Sequence, residues 1–99
     1  MTGKAGSSER SVELALKRIA GAHGVLPLKF VSPGFTGVPD RLLLAQGGRA
    51  AFAELKRPSG GRLSTIQIRV HAVLRSLGFR VAVITHPDGA DTFFKEWLL

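Results

Sequence analysis

Apolar residues recur every three or four positions in two stretches of the chain, the spacing typical of amphipathic helices. The first stretch covers residues 8–22, where Ser7 or Ser8 can cap a helix and glycines end it. The second follows Ser64, which opens a capping-box pattern. Its apolar residues Ile66, Val70, Val73, Leu74 and Leu77 form one stripe. A third, shorter helix is predicted at residues 90–98, after a turn.

Short apolar runs bounded by turn residues predict β-strands between these helices. The runs are residues 25–31, 41–45, 50–55 and 79–84. Pro27 restricts the first to a sheet edge or an irregular start, since proline cannot donate a ladder hydrogen bond. The paired glycines of residues 46–49 predict a tight antiparallel hairpin. The last run is almost uninterrupted, as in a strand buried on both faces. With the preceding helix it makes a right-handed β-α-β unit, whose two strands are parallel and adjacent or separated by one strand. The pattern indicates an α/β domain.

Length and composition limit the chain to one small domain. Its 99 residues are 44% hydrophobic, enough for a single core. We assign the domain to residues 8–99 and expect residues 1–7 to be a flexible leader without chemistry.

The charge balance indicates a polyanionic partner. Fourteen Lys+Arg against seven Asp+Glu give a net charge of +7, which favours nucleic acid over an anionic membrane. No apolar run approaches the roughly 20 residues that span a bilayer, and no apolar signal core begins the chain. The absence of cysteine excludes disulfides and thiolate metal sites. We therefore expect a cytoplasmic protein with no membrane association.

Four polar residues are predicted to meet at one edge of the sheet. In a strand, Glu54 and Lys56 project from the same face, because alternate side chains point the same way. Asp40 opens the neighbouring hairpin strand, and Gln67 lies in the first turn of the next helix. Ligands of open α/β sheets bind beyond the carboxyl ends of such strands. Two carboxylates and a lysine are therefore predicted to share one site.

This set of side chains suits hydrolysis of a phosphodiester. Asp40 and Glu54, with the main-chain carbonyl of Leu55, are candidate ligands of a hard divalent cation such as Mg²⁺. Lys56 can orient the attacking water, lower its pKa or offset charge on phosphorus. Three arginines lie near Lys56 in sequence and would supply positive charge to a phosphate backbone. They are Arg57, Arg62 and Arg69.

Each of these residues has a structural alternative. Glu54 and Lys56 alone are compatible with a solvated strand face, and the arginines with a solvated basic loop. Gln67 can simply complete its capping box. Glu13 borders the first helix's apolar stripe and can pair with Lys17 at i+4. His71 follows Gln67 by one helical turn and suits contact with polar groups or phosphate better than catalysis.

Four segments in order resemble the virus-type replication-repair nuclease (VRR-NUC) family of the PD-(D/E)XK superfamily. They are Gly37-Val38-Pro39-Asp40, Phe52-Ala53-Glu54-Leu55-Lys56-Arg57-Pro58, Gly61-Arg62-Leu63-Ser64 with Gln67, and Leu77-Gly78-Phe79-Arg80-Val81. The resemblance implies an α/β restriction-endonuclease-like core, with a mixed sheet flanked by helices. It also implies DNA cleavage dependent on Mg²⁺ or Mn²⁺.

The resemblance also implies roles for individual residues. Asp40 and Glu54 match metal ligands, Lys56 the catalytic lysine, and Gln67 a residue that positions water or metal. Glu13 matches a helical glutamate of the site, acting on the metal through water, and Glu9 one turn earlier is the alternative. Lys29 stands where the family often has a basic residue, and we include it with the DNA-binding residues.

The chain is similar in size to small stand-alone family members, which look like symmetric dimers that cut branched DNA such as four-way junctions. The resemblance therefore implies a homodimeric, junction-selective endonuclease, with Ile68 as a candidate interface residue. Two alternatives stay open: a general or nicking phage-type nuclease without junction preference, and a basic DNA-binding module that lacks catalysis. The complete set of Asp40, Glu54 and Lys56 argues against the second.

Overall fold

The computed structural model describes residues 8–59 and 61–99. In chain order the elements are α1 (Glu9–Ala22), β1 (Leu26–Lys29), β2 (Arg41–Ala45), β3 (Arg49–Leu55), α2 (Thr65–Ser76), β4 (Arg80–Ile84) and α3 (Pro87–Leu98). The predicted leader, residues 1–7, lies outside the described residues. In the part of the chain that is described, no helix combines the length and apolarity needed to cross a membrane.

The strands form one mixed sheet in the order β1-β2-β3-β4. β1 and β2 pair antiparallel, as do β2 and β3, whereas β3 and β4 are directly parallel. A short 3₁₀ turn, Gln46–Gly48, joins β2 to β3, and its Gly47 and Gly48 have φ angles of 80° and 71°. Such positive φ angles favour glycine, because a Cβ atom is crowded there. The predicted α/β class, hairpin and β-α-β unit are confirmed.

The hydrophobic core lies between one face of the sheet and helices α1 and α3. Alternate β3 residues Ala51, Ala53 and Leu55 enter it, together with Leu43 of β2. The remaining core residues come mainly from the two helices. They include Val12, Leu16, Ile19, Ala20, Phe93 and Phe94. Because side chains alternate along a strand, Phe52 and Glu54 of β3 point to the opposite face, where α2 lies.

The second face of the sheet is less covered than the first. Of the predicted apolar stripe of the second helix, Val70 is buried, yet Ile66, Val73 and Leu77 are 45%, 55% and 68% exposed. β4 was expected to be buried on both faces, yet it is an edge strand whose Val83 is 38% exposed. The cause is the same, since α2 packs on β4 without another layer outside it.

The last helix begins earlier than its sequence pattern indicates. Residues 87–89 were predicted as a turn, but they form the first turn of α3, with Pro87 at its start. Proline suits the first helical turn, because its missing N–H would have no helical partner there.

Candidate active site

Asp40 is held where the beginning of β2 meets the end of β3. Its side-chain Oδ1 accepts a hydrogen bond from the backbone N–H of Leu55 at 3.1 Å. Its backbone carbonyl accepts another from the N–H of Phe30 at 2.9 Å. The carboxylate is thus fixed by its neighbours before any ligand binds.

Glu54 lies on the α2 side of the sheet, and its carboxylate is almost fully buried. Its Oε2 atom accepts a hydrogen bond from Gln67 Nε2 at 3.3 Å and is 3.6 Å from Lys56 Nζ. Its Oε1 atom is buried and has no hydrogen-bond partner among the described residues. The lysine side chain is 21% exposed, against 6% for the glutamate, so the lysine lies nearer the opening.

The two carboxylates stand in an environment that disfavours their charge. Burial raises the pKa of Asp40, although the Leu55 N–H and Arg41 lower it, and Glu9 raises it further. Burial also raises the pKa of Glu54, the charge of Asp40 adds to this, and Lys56 opposes it. A bound cation would relieve both burial and mutual repulsion. The orphaned Oε1 of Glu54 and the hard oxygen donors therefore fit the implied metal.

Gln67 serves the helix and the site at once. Its backbone N–H donates to Ser64 Oγ at 3.1 Å, while its side-chain Oε1 accepts from the Ser64 N–H at 2.8 Å. This is the predicted capping box. The amide nitrogen Nε2 of the same side chain donates to Glu54, so the cap directs Gln67 toward the carboxylate.

Two glycines allow the chain to pack closely around these residues. A Cβ atom on Gly37 would lie 2.9 Å from both the Ile66 carbonyl oxygen and Val70 Cγ2 of α2. A Cβ atom on Gly61 would lie 2.9 Å from the Cβ of Lys56. The loop that carries Asp40 and the helix that carries Gln67 therefore touch at Gly37.

We expect Gly37→Ala to lower the free energy of unfolding by more than backbone strain alone would. Gly37 has φ +93°, and Gly34 in the same loop has φ +81° but no atom within 4 Å of an added Cβ. Both alanine variants should lose roughly 1–2 kcal/mol from the positive φ angle. Overpacking should cost Gly37→Ala about 1–3 kcal/mol more. Urea unfolding of the two variants gives the comparison, and equal losses would contradict the proposed close contact.

Glu13 lies apart from this cluster, on the other side of β2. Its Oε2 atom accepts from Arg41 Nη2 at 2.8 Å and is 4.0 Å from Lys17 Nζ, and its Oε1 atom is 3.5 Å from Arg10. No hydrogen bond or ion pair within residues 8–59 and 61–99 joins it to Asp40 or Glu54. Glu9, the alternative, is the α1 carboxylate that affects the pKa of Asp40.

The predicted DNA-binding residues divide into exposed and buried groups. Arg57, Arg62, Arg69 and Lys29 are exposed. His71 is fully buried, and burial lowers its pKa, as do Arg75 and Lys56. The prediction that His71 contacts DNA is therefore contradicted, because α2 turns it toward the sheet. Helical periodicity placed His71 at the border of the apolar stripe of α2, but the helix buries His71 and leaves Ile66, Val73 and Leu77 of that stripe exposed.

Sequence reasoning missed Arg41 altogether. It is the first residue of β2, 7% exposed, and it binds Glu13. The available signal was its alternation with Leu43, which turns both side chains to the α1 side. The described residues contain no group of three or more His, Asp or Glu side chains able to hold a metal. The site therefore offers two acidic side chains, Asp40 and Glu54, whose charges interact.

The fold and this arrangement define a nuclease domain of a known family. No family model matches the chain. A solved VRR_NUC domain superposes with a TM-score of 0.82 at 27% identity, covering 90% of this chain and 96% of that domain. The chain is also 41% identical over 80 residues to Putative nuclease p44 of Acyrthosiphon pisum secondary endosymbiont phage 1, covering 81% of this chain and 85% of that protein. The chain belongs to the VRR-NUC family, with its restriction-endonuclease-like fold.

Proposed function

We propose that this protein is an endonuclease that hydrolyses phosphodiester bonds of DNA with Mg²⁺ or Mn²⁺, preferring branched substrates. The observation that supports it most is the juxtaposition of Asp40, Glu54, Lys56 and Gln67, two of them carboxylates with raised pKa values. A structural ion pair would be satisfied within the protein. Here one buried Glu54 oxygen lacks a partner among the described residues.

The side chains suggest a division of roles. Asp40 and Glu54 would hold the cation, with the Leu55 main-chain carbonyl as a further ligand. When bound, the cation supplies charge to the phosphoryl oxygens and lowers the pKa of water. Gln67 fixes the Glu54 carboxylate through its 3.3 Å hydrogen bond. Lys56, two residues further along the chain at the end of β3 and partly exposed, orients the attacking water and offsets charge developing on the phosphate.

Glu13 has a different place in the proposal. Because Arg41 holds it at 2.8 Å, we propose that it orders α1 against β2. A water-mediated role at the metal, as the family resemblance implies, would need Glu13 to leave this ion pair. Glu9 could take the same water-mediated role without breaking the ion pair between Glu13 and Arg41.

Cleavage assays on a panel of labelled DNA substrates test the function. Purified protein with Mg²⁺ or Mn²⁺ is incubated with linear duplex, flap and four-way junction of equal length. Junction cleavage above duplex cleavage is the expected result, and chelation should abolish it. Equal cleavage of all substrates favours a general or nicking nuclease. Metal-dependent binding without cleavage of any substrate would leave only a DNA-binding module.

Homodimerisation is the second part of the proposal, and the apolar side chains left exposed on α2 support it. Ile66, Val73 and Leu77 lie within about 40° of one another on the helix and form one stripe, which we name the α2 stripe. Ile68, the candidate from the sequence, is 55% exposed on another side of α2. A two-fold dimer would present two sites to two DNA strands.

We expect Val73→Asp with Leu77→Asp to convert a dimer to a monomer and to remove the preference for junctions. Two carboxylates in an apolar interface have no compensating partner. Light scattering at micromolar concentration gives the mass. Val73→Asp alone and Ile68→Asp alone add the same charge on different sides of α2, and comparing them separates the two surfaces. A wild-type protein that is strictly monomeric and still selects junctions would exclude dimerisation as the source of selectivity.

A further inference from the structure

A cavity of about 200 Å³ opens between α1, β1 and β2. It lies on the α1 side of the sheet, opposite the face that carries Glu54, because Arg41 pairs in register with Ala53 and not with Glu54. We call it the basic cavity. Its lining includes Glu13, Lys17, Lys29 and Arg41, with Leu16 and Pro27 as apolar walls.

The charges around the basic cavity are unbalanced. Lys29 and Arg41 are direct cross-strand partners in the antiparallel pairing of β1 and β2. Like charges at such positions destabilise a sheet. Lys17 adds a third positive charge, and Glu13 is the one carboxylate in the lining. An anion in the cavity would relieve this repulsion.

Arg41 has hydrogen-bonding capacity that the described protein groups leave unused. Its side chain is 8% exposed, and its Nη2 binds Glu13, but its buried Nε has no acceptor among the described residues. A guanidinium carries five N–H donors in a planar fork that matches the oxygens of phosphate. Burying a donor without an acceptor is costly. The unused donor of Arg41 therefore indicates that an oxyanion is its missing partner.

The basic cavity also lies close to the candidate active site along both strands that form it. Arg41 immediately follows Asp40 in β2. Lys29 immediately precedes Phe30, whose N–H donates to the Asp40 carbonyl at 2.9 Å. A nucleic-acid strand carries a phosphate about every 3.4 Å along the helix axis, so one backbone can present phosphates to both places.

We propose that the basic cavity binds a non-scissile phosphate of the nucleic-acid backbone through Lys17, Lys29 and Arg41. The inference rests on the proposed function, because it takes the substrate to be DNA with its scissile phosphate beside Asp40 and Glu54. Such a contact sets the position of the backbone and reads no base. Glu13 holds the Arg41 fork in place by occupying one of its nitrogens.

The first test removes two cavity charges and measures DNA binding against salt concentration. In Lys17→Ala with Lys29→Ala, the slope of log Kobs against log salt should become shallower by about 0.9, as for one lost phosphate contact. Arg18→Ala with Lys95→Ala removes equal charge from exposed residues outside the cavity and should change the slope less. Circular dichroism checks that all variants fold. Arg41→Lys keeps the charge but removes the fork, and should weaken binding as well.

The second test replaces single phosphates of the DNA by uncharged methylphosphonates. Wild-type affinity should fall about tenfold at one non-scissile position, and the Lys17/Lys29 variant should show no further loss there. Identical methylphosphonate profiles for that variant and the control would overturn the proposal. NMR shifts of cavity residues with inorganic phosphate, combined with identical profiles, would mean an adventitious anion site only. If the position-specific loss appears in a protein that never cleaves DNA, the cavity stands and the nuclease proposal fails.

Discussion

Lys56→Ala should lower the rate of DNA cleavage by ~10² to 10⁴ while leaving the fold intact, since a positioned catalytic group is removed from the opening of the site. The Lys56 side chain contacts Glu54 at 3.6 Å and contributes nothing to the core cluster. Single-turnover cleavage at saturating DNA and metal measures the rate directly. Thermal unfolding of the same sample verifies that the protein is folded.

Two further variants separate charge from position at this residue. Lys95→Ala removes an exposed ammonium on α3 that pairs with Asp91, and its cleavage rate should equal that of the wild type. Lys56→Arg keeps the positive charge but replaces a compact ammonium with a wide planar group. Partial activity of the arginine variant would indicate charge stabilisation, and its inactivity would indicate positioning of water. Wild-type cleavage by folded Lys56→Ala would exclude the mechanism as proposed.

Glu54→Gln should stabilise the metal-free protein at neutral pH while it abolishes cleavage. Burial and Asp40 raise the pKa of Glu54 above its ordinary value of 4.5, so the folded state holds its proton more tightly than the unfolded state. The resulting stability is complete below the unfolded pKa and is lost as pH rises through the folded pKa. Glutamine keeps the shape without the charge. Urea unfolding from pH 4 to 8 should therefore give a curve that falls less steeply for the variant than for the wild type.

A bound metal ion should restore the stability that the wild type loses at neutral pH through the charge of Glu54. Binding at 100 times its Kd adds about 2.7 kcal/mol to the free energy of unfolding. Asp40→Asn and Glu54→Gln should each lose most of that gain, and calorimetric titration should show weakened Mg²⁺ affinity. The metal affinity of Glu13→Gln is the comparison for these two variants, because Arg41 binds the Glu13 carboxylate in the wild type. Unchanged metal affinity in Asp40→Asn would remove Asp40 from the coordination sphere.

Local patterns were sufficient for most of the elements. Ser8 caps α1 and Ser64 caps α2 as predicted, and Gly47 and Gly48 turn the hairpin. These features depend on side chains bonding to nearby backbone and on glycine at positive φ, which neighbouring residues determine. The predicted meeting of Asp40, Glu54, Lys56 and Gln67 also followed from short-range order, because one hairpin and one β-α-β connection bring them together.

Side-chain burial on α2 and β4 depended on distant parts of the chain. Periodicity indicates which residues share a face, but it does not show how many layers lie against that face. The pattern therefore did not distinguish the exposed Val73 and Leu77 from the buried Val70, and it placed the buried His71 at the border of their stripe.

The sequence by itself determined the α/β class, the family and the four residues of the candidate active site, since each follows from local spacing or from an ordered set of motifs. The i+4 contact between Glu13 and Lys17 was predictable, but only the tertiary structure decided that Glu13 also pairs with Arg41, 28 residues away. The same holds for the basic cavity, whose walls come from α1, β1 and β2. Charges so far apart in sequence acquire a common environment only when helix and sheet pack together, because burial and distance then set their interaction energy.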